Sequence, residues 1–439
     1  MPSTSAVTGA VETSYAVAIA LAFLVPCAVA GLALIATGLG RSRSAAHMMM
    51  SSLCVLAVAA LAYFAFGFAW QNASPPDHIL TLGGKPWNWL GASRFFMHSS
   101  AIDGLAAPAA LLGIFSVGLA ALIPLSSGAD RWRLGACCAS TAVLAGWTFP
   151  LFAHWVWGGW LMQLGDNYGL GRGFIDAGGS STIQAVGGLT ALSIAWLLGP
   201  RHGKYTRDGL PTAIPGHNGV LVTLGCLLAL VGWMALNAAG ALFYYGKSRV
   251  AVVAINTLLC ACAAGLATAI VTRVRFGKPD LSLTANGWIG GLAASSAACA
   301  FVIPAEAVII GAVAGVLVTL SVEWFELHMS VDDPGGSISA HAMGGIWGVL
   351  AVGVFASQPS LGQMDTSMRV SGQWLAQLVG IATLIGFVLP LTYGLNWLIG
   401  RVWPHRVSAE GERQGMDLHE LGAGAYPEFV VHSDEFIER

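Results

Sequence analysis

A chain of 439 residues in which 56% of the side chains are hydrophobic and only 10% are charged cannot fold as a soluble domain. Soluble domains carry about 25% charged residues, which keep their surfaces hydrated. The formal net charge is −2, so neither sign of charge dominates. We therefore expect a lipid bilayer to surround most of this chain, and we expect no nucleic-acid partner.

Apolar stretches long enough to cross a bilayer recur along the whole sequence. A hydrocarbon core about 30 Å thick requires about 20 apolar residues in a helix. Such stretches lie near residues 15–38, 48–70, 102–125, 135–157, 175–198, 218–239, 251–272, 284–303, 305–325, 338–357 and 373–399. We predict an all-α membrane protein with eleven transmembrane helices over residues 1–400, followed by a cytoplasmic tail over residues 401–439.

The basic residues between these stretches predict the orientation. Every second connection is rich in Lys and Arg: Arg41 and Arg43; Arg131 and Arg133; Arg201, Lys204 and Arg207; Arg273, Arg275 and Lys278. Basic loops stay in the cytoplasm. The N-terminus is therefore predicted outside and the C-terminus inside, in a multi-pass protein of the plasma (inner) membrane.

An aromatic cluster ends the fourth helix, in the segment His154-Trp-Val-Trp157-Gly-Gly-Trp160. Trp residues commonly form a belt at the membrane surface, which needs no further function. A Trp ring also attracts cations. Because Asp176 starts the next helix on the same face, a carboxylate beside aromatic rings makes a cation-collecting site the competing interpretation.

One polar frame occurs twice. Asp176-Ala-Gly-Gly-Ser leads to Gln184, and Asp333-Pro-Gly-Gly-Ser leads to His341, each eight residues after its Asp. An Asp at a helix start accepts backbone N–H bonds, and eight residues of helix advance about 12 Å. If the two helices start on opposite membrane faces, Gln184 and His341 meet near the middle.

This duplication predicts a 5+5 inverted repeat plus one C-terminal helix. Repeat one covers about 15–198, repeat two about 218–357, and the eleventh helix about 373–399. Transporters with inverted repeats bind their substrates at the midplane, between the repeats. We therefore predict a pore between the two halves, with Asp333 as a helix-start residue.

His341 is the strongest functional candidate among the polar residues. An ionisable side chain within a membrane usually marks a functional site, whereas a buried amide such as Asn237 usually joins helices by hydrogen bonds. The eight cysteines lie in apolar stretches without metal-ligand spacing, and no catalytic or nucleotide-binding motif appears. We predict no metal, no cofactor and no enzymatic activity.

These motifs resemble those of the ammonium transporter (Amt/Mep/Rh) family along nearly the whole chain. The matching segments are His154-Trp-Val-Trp-Gly-Gly, Gly232-Trp-x-x-x-Asn237-Ala, Gly277-Lys-Pro with Thr284-Ala-Asn-Gly287, Val331-Asp-Asp-Pro334 with His341, and Gln414-Gly-Met-Asp417. The resemblance implies a homotrimer of eleven-helix subunits, each with its own pore for ammonium or ammonia. It places Trp157 and Asp176 at the outer recruitment site, and Gln184 and His341 at the pore midpoint.

Three positions depart from the family pattern. Gln184 stands where the family usually has a histidine or an acidic residue. Leu236 replaces a phenylalanine of the outer gate, and Gly240 replaces a serine that often helps to bind the cation. Because glutamine does not exchange protons near neutral pH, a proton relay between two imidazoles cannot operate unchanged.

Three functions remain open on this basis. The first is a channel or transporter for ammonium or ammonia, which the fold, the outer site and His341 favour. The second is an ammonium-binding sensor or receptor that conducts poorly, and the third is a relative that passes another small solute. In the family the tail packs beneath the pores, where PII-type regulatory proteins dock. Since Gly415 to Tyr426 resembles that tail, we predict a regulatory tail with a PII-type protein as a candidate partner.

Overall fold

The computed structural model describes residues 16–72, 78–98, 106–246, 249–356 and 372–426. Parts of three predictions lie outside the described residues. These are residues 1–15, 73–77, 99–105, 247–248 and 357–371 of the predicted transmembrane domain; residues 15, 102–105 and 357 at the ends of three predicted helices; and residues 427–439 of the predicted tail.

Long helices make up most of the described chain. They are α1 (Ala16–Leu39), α2 (Ser42–Gln71), α3 (Ala106–Ser127), α4 (Leu134–Trp157), α5 (Ser180–Leu198), α6 (Gly219–Tyr245), α7 (Val250–Phe276), α8 (Leu281–Ala298), α9 (Pro304–His328), α10 (Ile338–Phe355) and α11 (Gln373–Val402). Within the described residues, ten helices are long and apolar enough to cross a membrane; α8 is not among them. The chain is therefore a mostly helical, multi-pass membrane protein, as composition predicted.

Helix α8 is short and contains several polar residues. It has 18 residues, and Asn286, Ser295 and Ser296 interrupt its apolar sequence. All three side chains are buried against other parts of the protein. Hydropathy alone therefore does not identify α8 as a membrane helix, because its polar residues lower the mean hydropathy although they pack inside the helix bundle.

A small β-hairpin, which the all-α prediction missed, lies between α2 and α3. Its antiparallel strands are β1 (His78–Leu82) and β2 (Lys85–Leu90). Gly83 and Gly84, with φ of 57° and 75°, make the turn. A two-residue turn with positive φ at both positions favours Gly-Gly. This turn signal is present in the sequence, but the apolar pattern of the flanking helices outweighed it.

Small residues bring α1 and α6 into close contact. A Cβ atom added to Gly31 would lie 2.6 Å from the backbone nitrogen of Ala229, and one added to Gly232 would lie 2.2 Å from that of Ala28. Inside a membrane, such contacts between small residues allow helices to pack through van der Waals attraction. Side chains larger than glycine at these positions would push the two helices apart.

The connections α1–α2, α3–α4 and α5–α6 meet on one face of the bundle, which we call the basic face. Arg201 binds both carboxylate oxygens of Asp332, at 2.9 and 3.0 Å, and its Nη1 lies 3.0 Å from Asp130 Oδ2. Arg131 Nη2 donates to the Asp332 carbonyl oxygen at 2.8 Å. Burial opposes ionisation of Asp332, but Arg201 and Arg131 hold its pKa below the ordinary value. Arg41 N of the α1–α2 connection donates to Asp130 Oδ1 at 3.1 Å. These contacts therefore join three of the four connections that the charge pattern grouped together, and they bind them to Asp332 before α10.

The opposite face carries the β-hairpin, and we call it the hairpin face. Here Trp87 of β2 stacks on Trp160 with ring centroids 4.7 Å apart. His154 Nε2 lies 3.1 Å from Asn88 Oδ1, and its Nδ1 lies 3.2 Å from the carbonyl oxygen of Gln71. These contacts fix the hairpin against the ends of α2 and α4, so the aromatic cluster predicted at the end of α4 is partly a packing surface.

The chain after α11 lies on the basic face, where two of its carboxylates bind helix starts. Asp417 accepts hydrogen bonds from the backbone N–H groups of Ala46 and His47 in α2, at 3.1 and 2.7 Å. Glu420 accepts one from Leu134 N, the first residue of α4, at 2.9 Å. The first N–H groups of a helix lack partners within it and favour a negative charge. The tail therefore caps two transmembrane helices.

Candidate functional site

Gln184 and His341 are in direct contact, although 157 residues separate them in sequence. The distance from His341 Nδ1 to Gln184 Oε1 is 2.7 Å, and both side chains are buried. A carbonyl oxygen only accepts hydrogen bonds, so His341 donates from Nδ1 and keeps a lone pair on Nε2. The two residues that the duplicated frame predicted to face each other thus form a hydrogen bond.

Each of these residues lies in a π-helical turn at the start of its helix. The turns are Ser180–Ala185 in α5 and Ile338–Met343 in α10. Single π-helical turns within helices are frequent at functional sites. The sequence predicts regular α-helices at both positions, and the structure corrects this to π-helical turns.

Two glycines allow α5 and α10 to cross closely at this pair. A Cβ atom on Gly188 would lie 2.3 Å from Ala342 N, and one on Gly345 would lie 3.1 Å from Ala185 N. Gly188 and Gly345 hold the same position in the two copies of the frame. Each contacts the equivalent alanine of the other copy, so the two contacts are reciprocal. A two-fold axis produces this pattern, in which residue i of one unit contacts residue j of the other and the reverse.

A cavity lies beside His341, toward the basic face. It has a volume of about 20 Å³ and lies between α1, α3, α8 and the start of α10. Its walls are mostly apolar, with polar groups from Ser126, Asn286 and Ser337. The space beside His341 therefore offers a small polar molecule few hydrogen-bonding partners.

The carboxylate of Asp176 is buried and accepts six hydrogen bonds at the start of α5. Its oxygens accept from the backbone N–H groups of Gly179, Ser180, Ser181 and Thr182 and from the hydroxyls of Ser181 and Thr182. Two carboxylate oxygens offer about four lone-pair sites. The geometry therefore makes Asp176 a helix cap, whose oxygens are occupied by donors from its own helix.

Asp333 holds the corresponding position at the start of α10. It accepts a hydrogen bond from Ile338 N at 2.7 Å and one from the Ser337 hydroxyl at 3.2 Å. Asp332, the residue before it, binds Arg201 on the basic face. The two frame copies therefore start on opposite faces, Asp176 toward the hairpin face and Asp333 toward the basic face.

Trp157 is half-buried above Asp176. Its indole Nε1 donates to the Asp176 carbonyl oxygen at 2.8 Å, and the Asp176 backbone N–H donates to the Tyr245 hydroxyl at 2.9 Å. The structure thus brings together the Trp and the Asp of the predicted outer site. They are joined through the backbone, which leaves the Trp157 ring as the group able to attract a cation.

Helix α6 supplies the other predicted residues of the outer site. Leu236 is 2% exposed, and Gly240 lies one turn later, against the carbonyl oxygen of Ala177. Between them, Asn237 Nδ2 donates to the hydroxyls of Thr257 at 2.9 Å and Ser295 at 3.1 Å. Asn237 therefore joins α6 to α7 and α8, and Gly240 gives α6 the space to approach the start of α5.

Comparison with known proteins shows which family has this sequence pattern. The sequence profile of the Ammonium Transporter Family matches residues 16–426. The chain belongs to the ammonium transporter family. The resemblance inferred from the motifs is thus confirmed.

Relatives of this ammonium transporter family member match nearly all of its length. Ammonium transporter Amt2 of Archaeoglobus fulgidus is 34% identical over 429 residues, which cover 94% of this chain and 88% of the relative. Ammonium transporter 1 member 2 of Arabidopsis thaliana is 30% identical over 420 residues, covering 88% and 78%. The similarity is therefore to whole transporters.

Solved structures from the family have the same fold. A protein described as a sensor Amt protein superposes with a TM-score of 0.83 at 25% identity, covering 93% of this chain and 98% of that protein. Candida albicans Mep2 superposes with a TM-score of 0.79 at 21% identity, covering 95% and 91%. Because Mep2 is only 21% identical, its similarity to this chain concerns the fold alone.

Restoring a serine at position 240 of this family member is expected to destabilise it. A Cβ atom on Gly240 would lie 2.3 Å from the Ala177 carbonyl oxygen, a backbone atom held by its neighbours. Overpacking of this kind costs about 1–3 kcal/mol. We expect Gly240→Ser to lower the melting temperature of the purified protein. Gly386→Ser is the control, because a Cβ atom there meets nothing within 4 Å. Tighter ammonium binding at an unchanged melting temperature would contradict this expectation.

Sequence reasoning missed Tyr244 in this ammonium transporter family member. Its ring stacks on Trp157 with centroids 4.1 Å apart and planes 4° from parallel. A signal for it was present, because Leu236, Gly240 and Tyr244 recur every four residues and so follow one stripe of α6. The predicted outer site included Leu236 and Gly240 on this stripe but not Tyr244.

Proposed function

We propose that this chain is a membrane channel or transporter that conducts ammonium or ammonia past Gln184 and His341. The observation that carries the proposal is the 2.7 Å hydrogen bond between these side chains, in helices that start on opposite faces. Inverted-repeat transporters bind their substrates at such a crossing. Trp157 is the group on the hairpin face that attracts the cation.

The hydrogen-bonding groups at the midpoint favour the uncharged species. Gln184 Nε2 is buried and has no hydrogen-bond partner. It requires an acceptor, which ammonia has in its lone pair and ammonium lacks. His341 Nε2 has a lone pair and accepts a bond from either species. We therefore expect ammonium to transfer its proton to water on the hairpin face before the midpoint, so that the proton stays on that side and ammonia crosses with little net charge.

We infer eleven membrane crossings, with α8 among them. The reciprocal contacts of Gly188 and Gly345 support a 5+5 inverted repeat, in which α8 corresponds to α3. In line with this, Gly187 contacts α3 at Ile123, and Gly344 contacts α8 at Gly290. A helix whose counterpart spans the membrane is expected to span it too. The transmembrane domain covers residues 1–400, and α11 follows the two repeats.

We also infer the orientation and assembly of the protein. The grouping of basic connections on one face supports a cytoplasmic basic face, an outer hairpin face and an outer N-terminus, by the positive-inside rule. The plasma (inner) membrane is the proposed location. A homotrimer with one pore in each subunit is the assembly we infer from family membership.

Transport is tested with purified protein in proteoliposomes. An inward ammonium chloride gradient is imposed, and an internal pH dye and the membrane current are recorded together. Ammonia passage raises the internal pH with little current, whereas ammonium passage produces current. Empty liposomes and an equal sodium chloride gradient are the controls. Dye and current responses equal to those of empty liposomes would reject the transport function.

The second candidate is a sensor that binds ammonium and conducts poorly. Two observations favour it: Gln184 interrupts the relay of titratable groups, and the structure described as a sensor Amt protein superposes closely. A sensor shows saturable ammonium binding without flux in the same liposomes. A third candidate, passage of another small solute, predicts swelling or flux with that solute and no response to ammonium.

We propose that the tail regulates transport. It binds the starts of α2 and α4 through Asp417 and Glu420, and Arg406 Nη2 binds Glu412 Oε2 at 2.8 Å. A ligand that pulls the tail away would uncap both helices at once. A PII-type protein at the cytoplasmic face is the candidate partner.

Removal of the tail after Val407 is expected to change transport without lowering the yield of folded protein. The truncation removes the caps at α2 and α4, each worth about 1 kcal/mol, but no part of the bundle. The proteoliposome assay and size-exclusion chromatography measure the two effects. The double variant Asp417→Asn, Glu420→Gln is the finer test, because it keeps the tail. Unchanged transport in both proteins would argue against a regulatory tail.

A further inference from the structure

Tyr244 covers one face of the ring that the outer cation site needs. Tyr244 lies on α6, one turn beyond Gly240, on the stripe that faces the outer site. Its ring lies parallel to that of Trp157 at a centroid distance of 4.1 Å. We propose that Tyr244 is a lid over this face of the Trp157 ring, which must leave before a cation can bind over that face. The identity of that cation as ammonium rests on the proposed function.

The stacked pair leaves no room for a cation on the covered face. A cation is attracted to an aromatic ring when it lies over the face, within about 6 Å of the centroid. The Tyr244 ring occupies that volume. The other polar groups nearby offer no alternative, because Trp157 Nε1 donates to the Asp176 carbonyl oxygen. The carboxylate of Asp176 is already filled by its six donors.

A ring stack holds the lid in this position. The planes of the Tyr244 and Trp157 rings lie 4° from parallel. The stack joins α6 to the end of α4 on the hairpin face of the bundle.

A lid that competes with the ligand lowers the apparent affinity of the site. The affinity falls by the fraction of time for which the site is open. Removing the lid is therefore expected to tighten ammonium binding. An aromatic pair corresponds to roughly a 2- to 12-fold change in an equilibrium constant. The ammonium concentration at half-saturation should fall by about that factor in Tyr244→Ala.

The test measures binding separately from conduction. The melting temperature of the purified full-length protein is followed as ammonium chloride is added, against equal sodium chloride, since a ligand that binds the folded state raises it. Tyr244→Phe keeps the ring stack, so its half-saturation should stay close to that of the wild type. The matched control is Tyr393→Ala in α11, which removes the edge contact of Tyr393 with Trp196, far from the outer site.

The outcomes separate the lid from the transport function. Tighter ammonium binding in Tyr244→Ala, with Tyr393→Ala like wild type, supports the lid. It does so even where liposomes show no flux, in which case the transport proposal fails alone. Half-saturation that is unchanged or higher in Tyr244→Ala overturns the lid, and a higher value makes Tyr244 part of the binding site. If Tyr244→Ala does not fold, Tyr244→Leu, which also removes the stacked ring, decides by the same criterion.

Discussion

Gln184→His is expected to increase the current that an ammonium gradient drives through the protein. The substitution places a second imidazole next to His341, whose Nδ1 lies 2.7 Å from the present Gln184 oxygen. Each imidazole nitrogen can accept and release a proton near pH 7, so the proton given up on the hairpin face gains a route across the midpoint. In the wild type the amide breaks that route.

The increase in current cannot exceed the rate gained by removing the free-energy cost of a bare charge at the midplane. A bare charge at the membrane midplane costs about 3 kcal/mol on insertion scales. A barrier of that height corresponds to roughly a 100-fold change in rate. We therefore expect the current to rise by between severalfold and about 100-fold, while the ammonia flux seen by the pH dye changes less.

A non-titratable substitution at the same position is the matched control. Gln184→Met keeps a similar length but offers no proton acceptor, so it should not increase the current. If the wild type already carries a robust ammonium current and Gln184→His leaves its rate and pH dependence unaltered, Gln184 does not limit charge movement. The cause of selectivity would then lie at Trp157, Leu236 and Gly240.

Asp176→Ala is expected to abolish the folded protein. The carboxylate serves four backbone N–H groups and two hydroxyls in a buried position. An unsatisfied buried donor costs about 1–3 kcal/mol, and folded proteins are stable by only about 5–15 kcal/mol in total. Recovery of monodisperse protein after size-exclusion chromatography measures the effect.

Two further variants separate capping from cation binding. Asp176→Asn has the same shape but turns an N–H group toward donors, so we expect a lower melting temperature even without ammonium. Asp333→Ala removes a carboxylate that accepts from Ile338 N and Ser337, and a smaller loss is expected. A normal melting temperature in Asp176→Asn together with weakened ammonium binding would show that Asp176 contacts the cation directly.

Much of the architecture is readable from local sequence. Each long apolar stretch must form a helix in lipid, because its backbone groups have no other hydrogen-bonding partners there. The duplicated frame predicted that Gln184 and His341 meet, since equal offsets from two opposed helix starts lead to the same depth. The Gly83-Gly84 turn of the β-hairpin is also present in the local sequence, but the long apolar stretches around it predict helices alone.

The roles of individual side chains in the outer site depended on the tertiary structure. Asp176 appeared in the sequence as a carboxylate beside aromatic rings, and only its six donors identify it as a buried cap. Gly240 appeared as a missing serine, and only the position of the Ala177 carbonyl oxygen explains the glycine. Whether a residue of a given type binds a ligand or stabilises a helix contact depends on the atoms that surround it.

The sequence by itself determined the class of protein, the approximate positions of its membrane helices and the family, because these follow from composition, from the length of apolar stretches and from motifs within single helices. The tertiary structure decided which groups are free to act. Tyr244 covers Trp157, and Asp417 and Glu420 cap α2 and α4, through contacts between residues far apart in the chain. Such contacts depend on how the helices pack against one another. The spacing of residues within one helix shows which side chains share a stripe, but it does not specify which side chains of another helix that stripe meets.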